Sequence, residues 1–250
     1  MAFGIKLKAW GDYALFTRPE MKAERISYDV PTPSAARGII EAIYWKPQIR
    51  WVIDRIHVLN PIRFTSVRRN ELASPGSSGH KVSSAFIRKA EVMNGSQVGI
   101  GIDATNDKGE LLYRQQRTSL LLRDVAYVFE AHFEILDFRF EKNGPELSPK
   151  DCEGKHISEF NRRAAAGKFH HAPCLGCREF LAFFELLGNE PVPLSALADG
   201  PDIDLGFMLY DIDFKHDNTP LFYRPVMQNG VIDVQHWWSL SPSNPNRVQP

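Results

Sequence analysis

From Val125 to Ile135 the chain alternates, with Tyr127, Phe129, Ala131, Phe133 and Ile135 on one face and Val128, Glu130, His132 and Glu134 on the other. A period of two is the pleat of a β-strand, and no helix puts those five residues on one side. This stretch is read as the central strand of the fold, so the rest of the chain has to be arranged around a sheet.

Weaker signals supply the other elements. Phe3, Ile5, Leu7 and Ala9 alternate with Lys6, Lys8 and Trp10, as in a half-buried strand. Thr32 or Ser34 caps a helix around Pro33, in which Ala36, Ile39, Ile40 and Ile43 recur at helical spacing until Pro47 ends it. Residues 51–66 read as a strand interrupted at Pro61. Residues 82–102 and 111–122 read as a hairpin closed by Asn106-Asp107-Lys108-Gly109. A second helix is expected over about 156–166, with Ile157, Phe160 and Ala164 inward and Gly167 as its stop, and residues 178–187 return to strand character.

The order β, α, β, β, α, β is the ferredoxin-like (RRM-like) plan of an α+β domain, shared by many RNA-binding domains. No RNP1 aromatic signature accompanies it. Beyond Pro191, short apolar segments at 205–210, 221–223 and 230–234 stand between prolines and glycines and suggest a small C-terminal antiparallel β-sheet extension. The expected organisation is a ferredoxin-like domain over 1–188, a β-rich extension over 189–240, and a disordered tail over 241–250 with three prolines.

A chain of 250 residues with 43% hydrophobic composition can bury a full core. No apolar run reaches the length of a membrane span, so the expected location is the cytoplasm and no membrane partner is implied. Cys152, Cys174 and Cys177 cannot all pair with one another and are read as reduced thiols.

The formal net charge of zero hides an asymmetry. Residues 1–100 carry 15 Lys+Arg against 8 Asp+Glu, or +7, and residues 101–250 carry 15 against 22, or −7. Within the basic half, Arg63, Arg68, Arg69, Lys81, Arg88 and Lys89 face only Glu71 and flank Ser74-Pro75-Gly76-Ser77-Ser78-Gly79. This reads either as a flexible basic loop over about 66–82 that meets a phosphate backbone or as a solvated loop.

Tyr44, Lys155 and His156 each stand at an expected element end, where side chains can converge. Together they suit RNA cleavage without metal. A 2'-hydroxyl needs a proton acceptor, the crowded phosphorane a fixed cation, and the departing 5'-oxygen a proton donor. Three other constellations compete. Cys174-x-x-Cys177, with Cys152, His156, His170 and His171, has the ligand types of a zinc site but no second pair at a standard spacing. Asp211, Asp213 and Asp217, with His216, are solvated acids of a surface strand and turn before they are a metal centre. Trp237-Trp238 is a core cover or a subunit contact rather than a base-stacking pair.

Seven dispersed segments then add up to more than a fold. Trp10 to Phe16, Ser27 to Thr32, Ile43-Tyr44-Trp45-Lys46-Pro47, Ala131 to Glu134, Glu153-Gly154-Lys155-His156, Leu175 to Glu179 and Met227 to Gly230 occur in one order from residue 3 to about 235. In this the chain resembles the CRISPR-associated crRNA-processing endoribonuclease of the subtype I-C Cascade, in the RAMP superfamily. The resemblance implies a ferredoxin-like domain with a C-terminal β extension. It also implies metal-independent cutting of the precursor CRISPR RNA repeat hairpin, leaving a 2',3'-cyclic phosphate and a 5'-hydroxyl.

It implies as well that the enzyme stays on the 5' handle of the mature crRNA beside other Cascade subunits, with no cofactor. Tyr44, Lys155 and His156 match the family's catalytic residues. The region from Gly167 to Gly176, including Lys168, His170 and His171, matches its glycine-rich loop near the RNA. With Arg63, Arg68, Arg69, Arg88 and Lys89, these form the expected RNA-binding set. Two alternatives stand beside the enzyme: a non-catalytic subunit that caps the crRNA handle, and a zinc-stabilised nucleic-acid module. Phosphate-contacting cations do not separate backbones, so double-stranded DNA stays open as a further partner.

Overall fold

A computed structural model describes residues 4–21, 24–72, 114–141, 144–214 and 217–240. The fold is mixed α/β, with few helices and a mostly antiparallel sheet. The chain divides into two compact units, Met1–Thr65 with Leu120–Pro250, and Ser66–Ser119.

In the larger unit β1 (Ile5–Ala14) pairs antiparallel with β5 (Arg114–Ile135), Leu7 opposite Phe129 and Ala9 opposite Tyr127. On the other side of β5 runs β3 (Ile49–Val58), Trp51 opposite Phe133, with a bulge between Ile53 and Arg55. The short β2 (Arg25–Ile26) also pairs with β5. The Val125–Ile135 alternation thus holds a central place, covered by strands on both sides. Its register sends Tyr127, Phe129, Ala131 and Phe133 into the main core. Ala126 and Val128 pack in a smaller cluster with Leu59 and Leu187.

α1 (Pro33–Ile43) starts where the sequence says it should. Thr32 is the cap, its hydroxyl accepting from the Ala35 amide at 3.2 Å, and Pro33 occupies the first turn, where its missing N–H costs nothing. The helix buries Ala36, Ile39, Ile40 and Ile43. Its last residue, Ile43, stands four before Pro47, because Tyr44 is already extended at φ −151°.

α2 (Pro149–Ala165) begins well ahead of the expected 156. Ser148 caps it by accepting from the Asp151 amide at 3.2 Å, and Pro149 again opens the first turn. Lys155 and His156 therefore sit inside the helix rather than at its end. Its buried face is Cys152, His156, Phe160 and Ala164, one residue per turn. Gly167 follows the last turn at φ +62°, the left-handed geometry in which glycine ends helices cheaply.

β6 (Phe183–Leu186) returns beside β1 at the edge of the sheet. On the opposite side the sheet continues from β3 into β11 (Val231–Asp233), β10 (Val226–Gln228) and β7 (Ile203–Asp204). β10 and β11 form a hairpin through Asn229 and Gly230, both at positive φ, as a primed turn requires. β8 (Met208–Asp213) and β9 (Thr219–Tyr223) make a separate two-stranded ribbon. α3 (Gln235–Leu240) sets the half-buried Trp237 edge-on to Tyr223, with ring centroids 5.8 Å apart, which is the core-cover role expected of it.

The unit Ser66–Ser119 is described through the ends of β4 (Phe64–Leu72) and the start of β5, which pair. Two expectations change here. Residues 66–72 are strand rather than the opening of a flexible loop. Residues 114–122 continue without a break into the central strand, instead of forming one arm of a separate hairpin. Asp124 takes φ +52° within this long strand, at the polar Arg123-Asp124 step that separates the two apolar stretches in the sequence. The other expected arm (82–102), its turn (106–109) and the tail (241–250) lie outside the described residues.

Candidate active site

Two elements distant in sequence put Tyr44 and His156 side by side. Tyr44 closes α1 and turns inward; its carbonyl accepts from the Trp51 indole at 2.9 Å, which fixes the backbone. His156 lies in the second turn of α2, on its buried face. The tyrosine Oη and the histidine Nδ1 are 2.7 Å apart, a short hydrogen bond across 112 positions of chain. Both side chains are withdrawn from solvent, Tyr44 at 2% exposure and His156 at 0%.

Burial sets the protonation states. Desolvation disfavours a charged imidazole, the ammonium of Lys46 disfavours it further, and together they bring the His156 pKa down from 6.5 to about 4. The same desolvation, with Glu159 near, pushes the Tyr44 phenol well above its ordinary value. At neutral pH the pair is a neutral imidazole against a protonated phenol, so the member able to accept a proton is His156. Its Nε2 is buried and has no hydrogen-bond partner among the described residues, a costly state for a polar atom unless something else binds there. The imidazole packs between aromatic rings, with Phe133 at 5.7 Å and Phe140 at 4.9 Å between centroids.

Lys155, the third expected member, projects outward from α2 and does not hydrogen-bond to the pair. It lines an open hollow of about 740 Å³ with Phe140, Lys150, Gly154, Ser158 and Glu159. The glycine-rich loop runs close by. The His170 amide donates to the Ala42 carbonyl at 2.8 Å, and Arg163 donates to the Ile43 carbonyl at 2.7 Å, so loop and α2 both grip the turn that delivers Tyr44. Lys168, His170 and His171 are exposed on that loop. Gly176, at φ +90°, lets the loop pass so close to β1 that a Cβ there would lie 2.0 Å from the Leu15 carbonyl oxygen.

The remaining expected residues are more scattered. Arg63 and Arg68 are exposed and Arg69 is half-buried, the last two in the unit Ser66–Ser119. Arg88 and Lys89 lie outside the described residues. The zinc alternative finds no ligand set. Cys152 faces the core of α2, Cys174 and Cys177 sit on the loop, His156 engages Tyr44, and no three of His, Cys, Asp and Glu converge among the described residues. Asp211 forms a bidentate pair with Arg37, one arm at 2.9 Å, so it is bound into the fold, while His216 is outside the described residues.

Sequence reasoning missed Phe140 and Lys46. Lys46 carried a signal, since in the extended chain after α1 alternate residues share a side. Tyr44 is buried, Trp45 is 53% exposed and Lys46 is half-buried. Phe140 offered none, because nothing local marks a ring that packs on a histidine sixteen residues later.

With this geometry in hand, comparison with known proteins identifies the lineage. The Cas5d family, described as CRISPR-associated protein (Cas_Cas5), matches residues 4–235. The chain belongs to the Cas5d family. A relative from Mannheimia succiniciproducens, the CRISPR pre-crRNA endoribonuclease Cas5d, is 51% identical over 241 residues, covering 96% of this chain and 98% of its own. The CRISPR pre-crRNA endoribonuclease Cas5d of Thermus thermophilus is 39% identical over 249 residues, covering 92% and 90%. A crystal structure of a CRISPR-associated protein superposes with a TM-score of 0.60 at 24% identity, covering 93% of this chain and 91% of its own, and so shares the fold. Among the described residues no helix is long and apolar enough to cross a membrane.

Proposed function

We propose that this Cas5d-family protein is a metal-independent endoribonuclease that cuts precursor CRISPR RNA at its repeat hairpin. The observation that carries the chemistry is the 2.7 Å contact between Tyr44 and the neutral, buried His156. Tyr44 holds the ring in place, and in the tautomer whose Nδ1–H donates to the phenol oxygen Nε2 is the proton acceptor. The 2'-oxygen, relieved of its proton by Nε2, attacks the adjacent phosphorus. The P–O5' bond breaks as the new P–O2' bond forms, the 5'-oxygen takes up a proton from water, the imidazolium returns its proton to solvent, and the products are a 2',3'-cyclic phosphate and a 5'-hydroxyl. Lys155, at the hollow, supplies a cation for the equatorial oxygens of the phosphorane.

The architecture fits this reading. In the order β6-β1-β5-β3, numbering β1, β3, β5 and β6 as the four strands of a split βαβ unit gives 4-1-3-2, all antiparallel, which supports the ferredoxin-like assignment. Residues 1–188 would be the RNA-processing domain and 189–240 its extension. Retention on the crRNA 5' handle, assembly with other Cascade subunits, double-stranded DNA as a further ligand and a cytoplasmic setting belong to the same proposal.

The complete burial of His156 favours a second reading, a handle-binding subunit without turnover, because the closed site offers no nitrogen to RNA. One substrate separates the two. Repeat RNA carrying deoxyribose at the nucleotide upstream of the cut should bind like the all-ribose repeat and resist cleavage, while the all-ribose repeat is cut. Binding of both without cleavage of either is the outcome for a handle-binding subunit.

A further inference from the structure

Two lysines meet one aromatic ring at the mouth of the site. The Lys46 ammonium stands 4.2 Å from the centroid of the Phe140 ring and donates to the Phe140 carbonyl at 3.3 Å. The Lys155 ammonium lies 5.7 Å from the same centroid. The other face to be accounted for is His156, whose imidazole packs on Phe140 and whose Nε2 is unpaired. Phe140 therefore stands among two cations and a proton acceptor, the set of groups that a phosphodiester undergoing 2'-hydroxyl attack requires.

An arene is a weak stand-in for an anion. A cation gains less over an exposed aromatic face than from a charge-assisted hydrogen bond to an anion. Exchanging the ring for phosphate oxygens is favourable for both ammonium groups, and it opens His156 as it does so. Phe140 lies between β5 and α2 rather than in either, so moving its ring disturbs neither element.

We propose that Lys46 is a second phosphate-binding residue of the active site, beside Lys155, and that Phe140 holds the scissile phosphate's place in the RNA-free protein. The inference rests on reading Tyr44 and His156 as the reaction centre. It also reconciles that reading with a buried imidazole, since the substrate itself removes the cover. Of the two lysines, Lys46 is the one whose charge is felt at the His156 ring.

The test uses the full-length protein, single-turnover cleavage of the repeat RNA, and the uncleavable deoxyribose repeat for binding. Lys46→Ala should cut on the order of 10²- to 10³-fold more slowly, the loss expected for one transition-state charge donor, while binding the deoxyribose repeat within a few-fold of the parent. Lys46→Arg should recover most of the rate, because a guanidinium also pairs with phosphate. By proton NMR, the His156 ring signals should lose the Phe140 ring-current shift when the deoxyribose repeat binds.

Parental cleavage by Lys46→Ala or unchanged His156 signals in the RNA complex would each overturn the proposal. Failure of the underlying catalytic reading looks different: the parent leaves the all-ribose repeat intact, or His156→Gln cuts as fast as the parent. The NMR arm needs only binding, so it decides whether RNA displaces Phe140 in either case.

Discussion

His156 is the residue on which the account turns, and its environment makes a titration prediction. Lys46 is the charged group felt at the ring, Tyr44 its hydrogen-bond partner, and Phe133 and Phe140 its apolar walls. An NMR titration of the RNA-free protein should find the imidazole neutral at pH 7, with a midpoint near the pKa of about 4 rather than 6.5. A folded-state pKa below the unfolded one means that the unfolded chain binds more protons between those values. The stability owed to neutral His156 is thus complete above about pH 6.5 and drains away as the pH falls toward 4. The melting temperature of His156→Gln should consequently decline less than the parent's over that window, and parallel declines would show that the burial contributes no such linkage. The sequence made Tyr44, Lys155 and His156 visible as residue types suited to one another. It hid the burial, because Phe140 and Phe133 reach the imidazole through tertiary packing that no local pattern encodes.

Elements were legible where side-chain period and cap agreed. The period of two in β5 and the Thr32-Pro33 start of α1 are examples. α2 was read short because its first turn, Pro149-Lys150-Asp151, is polar and exposes no apolar stripe. The signal that marks its start is the Ser148-Pro149 cap. The C-terminal strands read in sequence as a β-sheet extension, and β11 pairs with β3 across a separation no periodicity reveals. The glycine-rich loop is where element geometry is least forgiving. In Gly176→Ala the left-handed backbone alone costs about 1–2 kcal/mol, and the added Cβ meets a backbone oxygen that cannot rotate away. Chemical denaturation should show a loss well above that figure, whereas Gly167→Ala, with open space around its Cβ, should lose only the backbone cost.

At the scale of the whole molecule, a formally neutral chain is proposed to hold a polyanion through local positive charge. Affinity for the repeat RNA should fall steeply with salt. Neutralising Arg68, Arg69 and Lys168 should flatten the slope of log K against log salt by roughly 0.7–0.9 for each phosphate no longer neutralised, and an unchanged slope would place the RNA elsewhere. The charge imbalance between the two parts of the sequence was readable from composition, but which cations flank the Tyr44–His156 pair was not. Lys46 and Lys155 meet at Phe140 only because α1 and α2 pack together, with α2 gripping the carbonyl of Ile43. The most direct test of the central claim is single-turnover cleavage of the protein's own CRISPR repeat RNA in excess EDTA, comparing the parent with His156→Gln. The account predicts an undiminished parental rate, a 2',3'-cyclic phosphate on the upstream product, and a loss of about 10²- to 10⁴-fold in the variant, the usual worth of a positioned proton-transfer group. Parental cleavage abolished by the chelator and restored by a divalent metal, or equal rates for parent and variant, would contradict it.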